Sequence, residues 1–194
     1  MTGEALSGPD GSLRCPWATA TADYLAYHDD EWGRPVRDDN GLFERLTLEA
    51  FQSGLSWLTI LRKRSNFRAA FAGFDIAAVA AFGEQDRTRL LRDTGIVRNR
   101  AKIDAAVTNA KAALALDGGL ASLIWGFAPD PAPAPASLSD VPAQTPESTA
   151  LAAALKKRGF AFVGPTTSYA LMQAAGLVND HLADCSARSR LRAP

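Results

Sequence analysis

The chain has 194 residues, 47% of them hydrophobic, enough to bury a core and too many for a disordered chain. That length fits one large or two small domains. Its 21 basic and 21 acidic residues cancel, which argues against a nucleic-acid binder that works by bulk basicity.

The cancellation is uneven along the chain. Residues 1–97 carry 11 Lys and Arg against 14 Asp and Glu, net −3, and residues 98–194 carry 10 against 7, net +3. A basic face built from the second half stays open. The longest apolar runs, such as Ile76 to Phe82, fall far short of the roughly 18 residues a membrane span needs. Met1-Thr2-Gly3-Glu4 lacks the apolar stretch of a signal peptide. The expectation is a soluble, cytoplasmic protein with no membrane partner, and by default a monomer.

Residues 1–12 are polar and Gly-rich and read as a flexible leader. Residues 38–60 read as one helix, with Asp39 or Asn40 as cap and Leu42, Phe43, Leu46 and Ala50 as an apolar stripe. After a break at Gly73, Phe74 to Phe82 reads as a short Ala-rich helix, and Glu84 to Arg92 as another, ended by Gly95. Asn99 to Leu116 is the clearest helix: Ile103, Ala106, Val107, Ala110, Ala113 and Leu114 recur with helical spacing, and Gly118-Gly119 ends it. Six of the 11 prolines fall in 129–146, an extended surface connection. Its Pro/Ala run, 131–136, is expected to leave any site untouched. Thr145-Pro146 caps a helix that runs to Leu155–Arg158 and ends at Gly159, and a last helix runs from Pro165 to Leu177. No stretch alternates like a strand, so the expected class is all-α.

The two cysteines, Cys15 and Cys185, and the two histidines, His28 and His181, form a conspicuous set. Thiolate and imidazole are the ligands of a closed, structural zinc site, and His181 and Cys185, at i and i+4, can share one side of a helical turn. Such a site would pin together segments 153 residues apart, from His28 to His181. Two core histidines and two buried thiols is the competing reading. A filled Cys2His2 set leaves no position for a catalytic water, so a metal here would be scaffold.

Two further segments carry chemistry. Leu155 to Ala170 reads as helix, tight apolar turn, helix. Val163-Gly164 before Pro165-Thr166-Thr167 places free N–H groups at a helix N-terminus, where they and the helix dipole favour phosphate. Lys156, Lys157 and Arg158 lie nearby. An ordinary helical hairpin reads equally from the same residues. Upstream, Glu49 falls about 20° from Leu42 on a helical wheel, at the border of the apolar stripe. Trp17, Tyr24, Tyr27, Trp32 and Trp57 crowd the same half. Aromatic faces and one carboxylate suit a flat, cationic ring, although core aromatics with Glu49 paired to an arginine would read alike.

Together these strings resemble the DNA-3-methyladenine glycosylase I, or bacterial Tag, family. The likeness is carried by Cys15-Pro-Trp17, Tyr27-His-Asp-Asp-Glu-Trp-Gly33, Leu48-Glu-Ala-Phe-Gln-Ser-Gly-Leu-Ser-Trp57 and Gly95-Ile-Val-Arg-Asn-Arg-Ala-Lys-Ile103. It continues in Leu155-Lys-Lys-Arg-Gly-Phe-Ala-Phe-Val-Gly164 and Met172-Gln-Ala-Ala-Gly-Leu-Val-Asn-Asp-His181. It spans about residues 13–187 and leaves a basic tail, 188–194, with Arg188, Arg190 and Arg192. The resemblance implies an all-α helix-hairpin-helix glycosylase fold whose hairpin is Phe162 to Thr167. It implies one structural zinc on Cys15, His28, His181 and Cys185, and excision of 3-methyladenine from alkylated double-stranded DNA. Glu49 would be the pocket acid, with Tyr27 and Trp57 around the base and Trp17 and Tyr24 near it. Val163, Gly164, Thr166 and Thr167 would face the DNA phosphate. The hairpin has no lysine, which implies a monofunctional enzyme. Asp180 adjoins a zinc ligand and receives no catalytic role. The alternative is a zinc-stabilised helix-hairpin-helix protein that grips DNA and does no chemistry.

Overall fold

The computed structural model describes residues 4–191, and among these the fold is mostly helical. A two-stranded antiparallel pair, β1 (Leu6–Ser7) and β2 (Leu13–Arg14), precedes ten α-helices. These are α1 (Ala22–Asp30), α2 (Asp39–Gln52), α3 (Trp57–Ala70), α4 (Ile76–Ala80), α5 (Glu84–Arg92), α6 (Arg100–Leu114), α7 (Gly119–Trp125), α8 (Pro146–Lys157), α9 (Pro165–Ala174) and α10 (Ser186–Arg190).

Helix α2 is the centre of the molecule. It packs against α3, α6, α7 and α9, and its residues 46–51 are buried without interruption. A helix hydrophobic on one stripe meets one neighbour; one enclosed on nearly all sides is a core helix. Phe51, Phe67, Phe71 and Phe74 meet beside it, with Phe51 and Phe67 centroids 4.8 Å apart. Helix α4 lies on α6, and α8 pairs with α9 as the hairpin.

The single helix expected over 38–60 is two. Gly54 takes φ 79°, a conformation glycine enters without strain, and the Ser56 hydroxyl then accepts the Thr59 N–H to start α3. Lys102, buried on α6, donates to the carbonyls of Phe51 and Ser53 at 2.8 and 2.6 Å and so satisfies the orphaned end of α2. The helix expected over Phe74 to Phe82 shortens to α4, because Asp75 caps it by accepting the Ala78 N–H. Asn99 and Thr145 do cap α6 and α8 through their side chains. The last helix stops at Ala174 rather than Leu177. Gly176 there has φ 75°, and a Cβ on it would sit 2.6 Å from the Gly33 carbonyl oxygen, so the turn is where this segment presses on the strand-like stretch before α2.

The leader is not free where it is described. Leu6 pairs with Arg14 and Ser7 with Leu13, and Arg14, only 4% exposed, forks between Asp10 and Asp29. Residues 1–3 lie outside the described residues. At the other end Arg188 is also engaged: it donates to the carbonyls of Asn179 and His181 at 2.7 and 2.6 Å. Arg192 lies outside the described residues.

Candidate active site and metal centre

Helix α1 was not legible as a helix, yet it places three site residues. Thr21 caps it, accepting the Tyr24 N–H, and Tyr24, Tyr27 and His28 then point from adjacent turns. Tyr24 and Tyr27 line a cavity of about 370 Å³ together with Trp17, Trp32, Glu49, Gln52, Trp57, Leu138, Val141, Ala170, Gln173 and Asp180. All five residues assigned to the base pocket from sequence therefore meet at one place.

Glu49 comes from the buried run of α2 and is 6% exposed. Among the described residues no hydrogen bond or ion pair reaches its carboxyl, so the arginine partner of the competing reading is absent. Burial alone pushes its pKa up to about 8, since an apolar surrounding penalises the charged form. The Trp57 indole N–H is likewise buried with no acceptor. The pocket thus holds one acid and one donor that the protein leaves unsatisfied, each a costly state in a folded chain.

The aromatic walls are fixed by contacts behind them. Tyr27 and Trp57 lie 5.4 Å apart at 47°. Trp17 meets Tyr24 and Trp32 edge to face, at 5.7 and 5.1 Å. The Tyr24 hydroxyl accepts the Leu58 N–H at 3.0 Å, which locks the first turn of α3, and with it Trp57, to α1. Arg64, paired with Glu31 at 2.6 Å, sits 5.8 Å from the Tyr27 ring. Burial first, and the neighbouring Glu49 next, raise the Tyr27 phenol above its usual range, so the ring stays neutral.

Several lining residues were missed. Trp32 belonged to the aromatic cluster without a role, and its Glu-Trp-Gly context was the available signal. Gln52, one turn after Leu48, gave none. Leu138 and Val141, which follow the Pro/Ala run in the Pro-rich connection, also line the cavity. The run 131–136 is itself absent from the lining, but Pro135 accepts the Ala183 N–H at 2.8 Å, which anchors the connection so that its next residues close the pocket. Asp180 also reaches the cavity; its Oδ2 accepts the Tyr169 hydroxyl at 2.6 Å and the Gln173 amide at 2.8 Å.

Behind the Trp17–Trp32 wall lies the Cys/His set. The ligand atoms of Cys15, His28, His181 and Cys185 all fall within 4.8 Å of one another, and all four residues are buried. The His28 Nδ1 lies 2.8 Å from the Asp29 carboxylate, and the His181 Nε2 lies 3.1 Å from the Trp32 carbonyl oxygen. A nitrogen facing an acceptor must carry the hydrogen. Each ring then turns a lone pair inward, and these two inner nitrogens, His28 Nε2 and His181 Nδ1, stand 3.0 Å apart. Two lone pairs repel at that distance unless a cation lies between them. The hydrogen bond between the Cys15 and Cys185 sulfurs pulls the Cys185 thiol down as it pushes the Cys15 thiol up, one proton being shared between them; thiolate is the form that binds metal. The set can hold a metal ion, and it ties α1 and β2 to the chain after α9.

The hairpin joins α8 to α9. Gly164 caps α9 and Pro165 opens it, leaving the first-turn N–H groups of Thr166 and Thr167 without helical partners. Thr166 is exposed; Val163 is buried, so its side chain anchors the turn in the core. Phe162 stands 41% exposed at φ 56°. Asn109 on α6, itself buried, clamps the turn twice, donating to the Ala161 carbonyl at 3.1 Å and accepting its N–H at 2.8 Å. Asn109→Ala leaves that half-buried amide pair unmet, and we expect a loss of about 1–3 kcal/mol, read by urea titration, with weaker duplex binding in a gel-shift assay.

Comparison with known proteins agrees along nearly the whole chain. The methyladenine glycosylase family matches residues 17–189. The chain is 48% identical over 178 residues to DNA-3-methyladenine glycosylase 1 of Escherichia coli (strain K12), covering 89% of this chain and 95% of that protein. It is 45% identical over 190 residues to DNA-3-methyladenine glycosylase of Haemophilus influenzae (strain ATCC 51907 / DSM 11121 / KW20 / Rd), covering 92% and 99%. A crystal structure of 3-methyladenine DNA glycosylase I in complex with 3-methyladenine superposes with a TM-score of 0.85 at 36% identity, over 90% of this chain and 96% of that one. This chain belongs to the methyladenine glycosylase family.

Proposed function

We propose that this protein is a monofunctional DNA glycosylase that hydrolyses the N-glycosidic bond of 3-methyladenine in alkylated double-stranded DNA. It acts in the cytoplasm, as one catalytic unit spanning 13–187, and releases the free base. The observation that carries this reading is the buried, unpaired carboxyl of Glu49 in an aromatic pocket of about 370 Å³.

Methylation at N3 puts a positive charge on the adenine of the nucleotide, so the base is a good leaving group before any acid acts on it. The enzyme's task is to extrude the nucleotide and hold the ring. Tyr27 and Trp57 stack on it, favouring a cation over a neutral base, and Trp17 and Tyr24 close the side. Glu49 accepts from the base edge and supplies the counter-charge. As the C1′–N9 bond breaks, its electron pair neutralises the ring, and water adds to C1′ with loss of a proton. The N–H groups of Gly164, Thr166 and Thr167, on the turn anchored by Val163, hold a backbone phosphate. With no lysine in the turn, no Schiff base forms with the sugar.

Cys15, His28, His181 and Cys185 would hold one structural zinc. The nitrogen–nitrogen separation of 3.0 Å and the Cys185 sulfur–nitrogen separations of 3.4 and 3.5 Å support this, with the Cys15 sulfur wider, 3.9 Å from His181 Nδ1, and the whole set inside 4.8 Å. Bond lengths of about 2.0 Å to nitrogen and 2.3 Å to sulfur in a tetrahedron give edges of about 3.3 to 3.8 Å. With all four positions filled by protein, a metal held there would supply folding energy, and the reaction belongs to the pocket.

The test is chromatography of base released from methylated DNA. Free 3-methyladenine is expected. A folded, zinc-loaded protein that binds DNA and releases no base would replace this reading with that of a binding module.

A further inference from the structure

Two residues adjacent to the metal ligands are bonded to each other. Arg14 precedes Cys15 and Asp29 follows His28, and the Arg14 guanidinium meets the Asp29 carboxylate through Nε at 3.0 Å and Nη2 at 2.8 Å. The same guanidinium takes Asp10 on its other edge, at 2.6 and 2.8 Å. Arg14 is 4% exposed and Asp29 16%, so their pair is largely desolvated and bidentate, which gives it geometric definition, while Asp10, 56% exposed, braces Arg14 from the surface. Asp29 Oδ1 then receives the His28 Nδ1–H at 2.8 Å. The chain of contacts runs Asp10, Arg14, Asp29, His28, and it ends on the ring whose Nε2 faces Cys185 at 3.4 Å and His181 at 3.0 Å.

We propose that Asp29, braced by the buried Arg14 and by Asp10 of the β1–β2 turn, is a positioning residue of the metal centre: it holds the proton of His28 on Nδ1 and so presents Nε2 to the metal. This rests on the zinc reading above. His181 has the complementary device, a backbone one, because its Nε2 donates to the Trp32 carbonyl oxygen. The two histidines therefore bind through different nitrogens, and only the one held by a side chain is open to mutation. Partners of this kind fix the ring's tautomer and orientation, and losing one weakens metal binding by about 10–100-fold. Asp10, within the 1–12 segment expected to be a flexible leader, becomes part of the metal centre's support.

Two measurements test this on the full chain. In zinc-loaded wild type, long-range 1H–15N spectra of the imidazoles are expected to show the proton on Nδ1 of His28 and on Nε2 of His181. The opposite tautomer at His28 overturns the proposal, and this reading needs no variant to fold. In Asp29→Asn, competition with a chromophoric zinc chelator is expected to show affinity about 10–100-fold lower, with helicity retained in the zinc-loaded form. Affinity within twofold of wild type overturns the positioning role while leaving the zinc site intact. A wild type that binds no zinc overturns the site itself, and the proposal with it.

Discussion

Replacing Glu49 by glutamine is expected to slow base release by about a hundredfold or more, and to make the protein more stable above neutral pH. Both effects have one cause. The carboxylate sits in the pocket without a protein partner, so its charge is stabilised only when a cationic base arrives. Glutamine has the same shape and can still touch the base edge, but supplies no counter-charge; losing one such preorganised electrostatic group typically costs about 10²–10³ in rate. Single-turnover base release from methylated DNA reads the first effect, and an unchanged rate would remove Glu49 from the mechanism.

The stability effect follows from proton linkage. A free glutamate titrates near 4.5 and this one near 8. Below pH 4.5 the group is protonated in folded and unfolded chains alike, and its burial carries no charge penalty. Between these values the folded chain keeps a proton that the unfolded chain has released, so stability falls as pH rises, and the loss is complete once pH passes about 8. Its full size is on the order of 3–5 kcal/mol. Glu49→Gln escapes it, so its melting temperature should exceed that of wild type by several degrees at pH 8.5 and match it near pH 4.5. The same titration should make wild-type kcat/KM rise with pH toward about 8, a limb that the glutamine variant lacks.

Removing zinc is expected to be the largest perturbation of the fold. Structural zinc contributes folding free energy directly. An ion held by the Cys/His set would join residue 15 to residue 185 across a helical domain, and stripping it would leave buried imidazole lone pairs face to face. A strong chelator, or Cys185→Ala, should lower stability by several kcal/mol, about 10–20 °C in melting temperature for a chain of this size. Scanning calorimetry with elemental analysis reads both together. A metal-free protein that melts with the loaded one would refute the structural role.

The residues that make the site were more legible than the elements that carry them. Cys15, His28, His181 and Cys185 stood out because the chain has two of each, and scarcity survives any error in element boundaries. Glu49 was found by its angle to Leu42, a local property of one helix. Helix α1 escaped because its positions serve three surfaces at once: metal, pocket and Arg14–Asp29 pair. Its side chains therefore follow no single stripe. The break at Gly54 was visible as Ser-Gly-Leu-Ser and lost to the stronger apolar pattern around it. Leu138, Val141 and Gln173 could not be assigned to the pocket, and Asp180 was set aside beside His181, since a pocket wall assembled by tertiary packing has no period in the sequence. The resemblance to a family carried residue roles across that gap, but only at positions its motifs reach.

The Cys/His set lies at residues 15, 28, 181 and 185, and the pocket is walled by α1 at one end of the chain and by Asp180 at the other. A growing chain on the ribosome therefore has α2 and Glu49 long before it has a pocket to put them in. Contacts so distant in sequence are slow to form, and these cannot close before residue 185 has been made. Base-excising activity then becomes a property of finished molecules: a chain released early carries the acid and the tryptophans but no enclosure for a flipped base, and cannot leave abasic sites behind it.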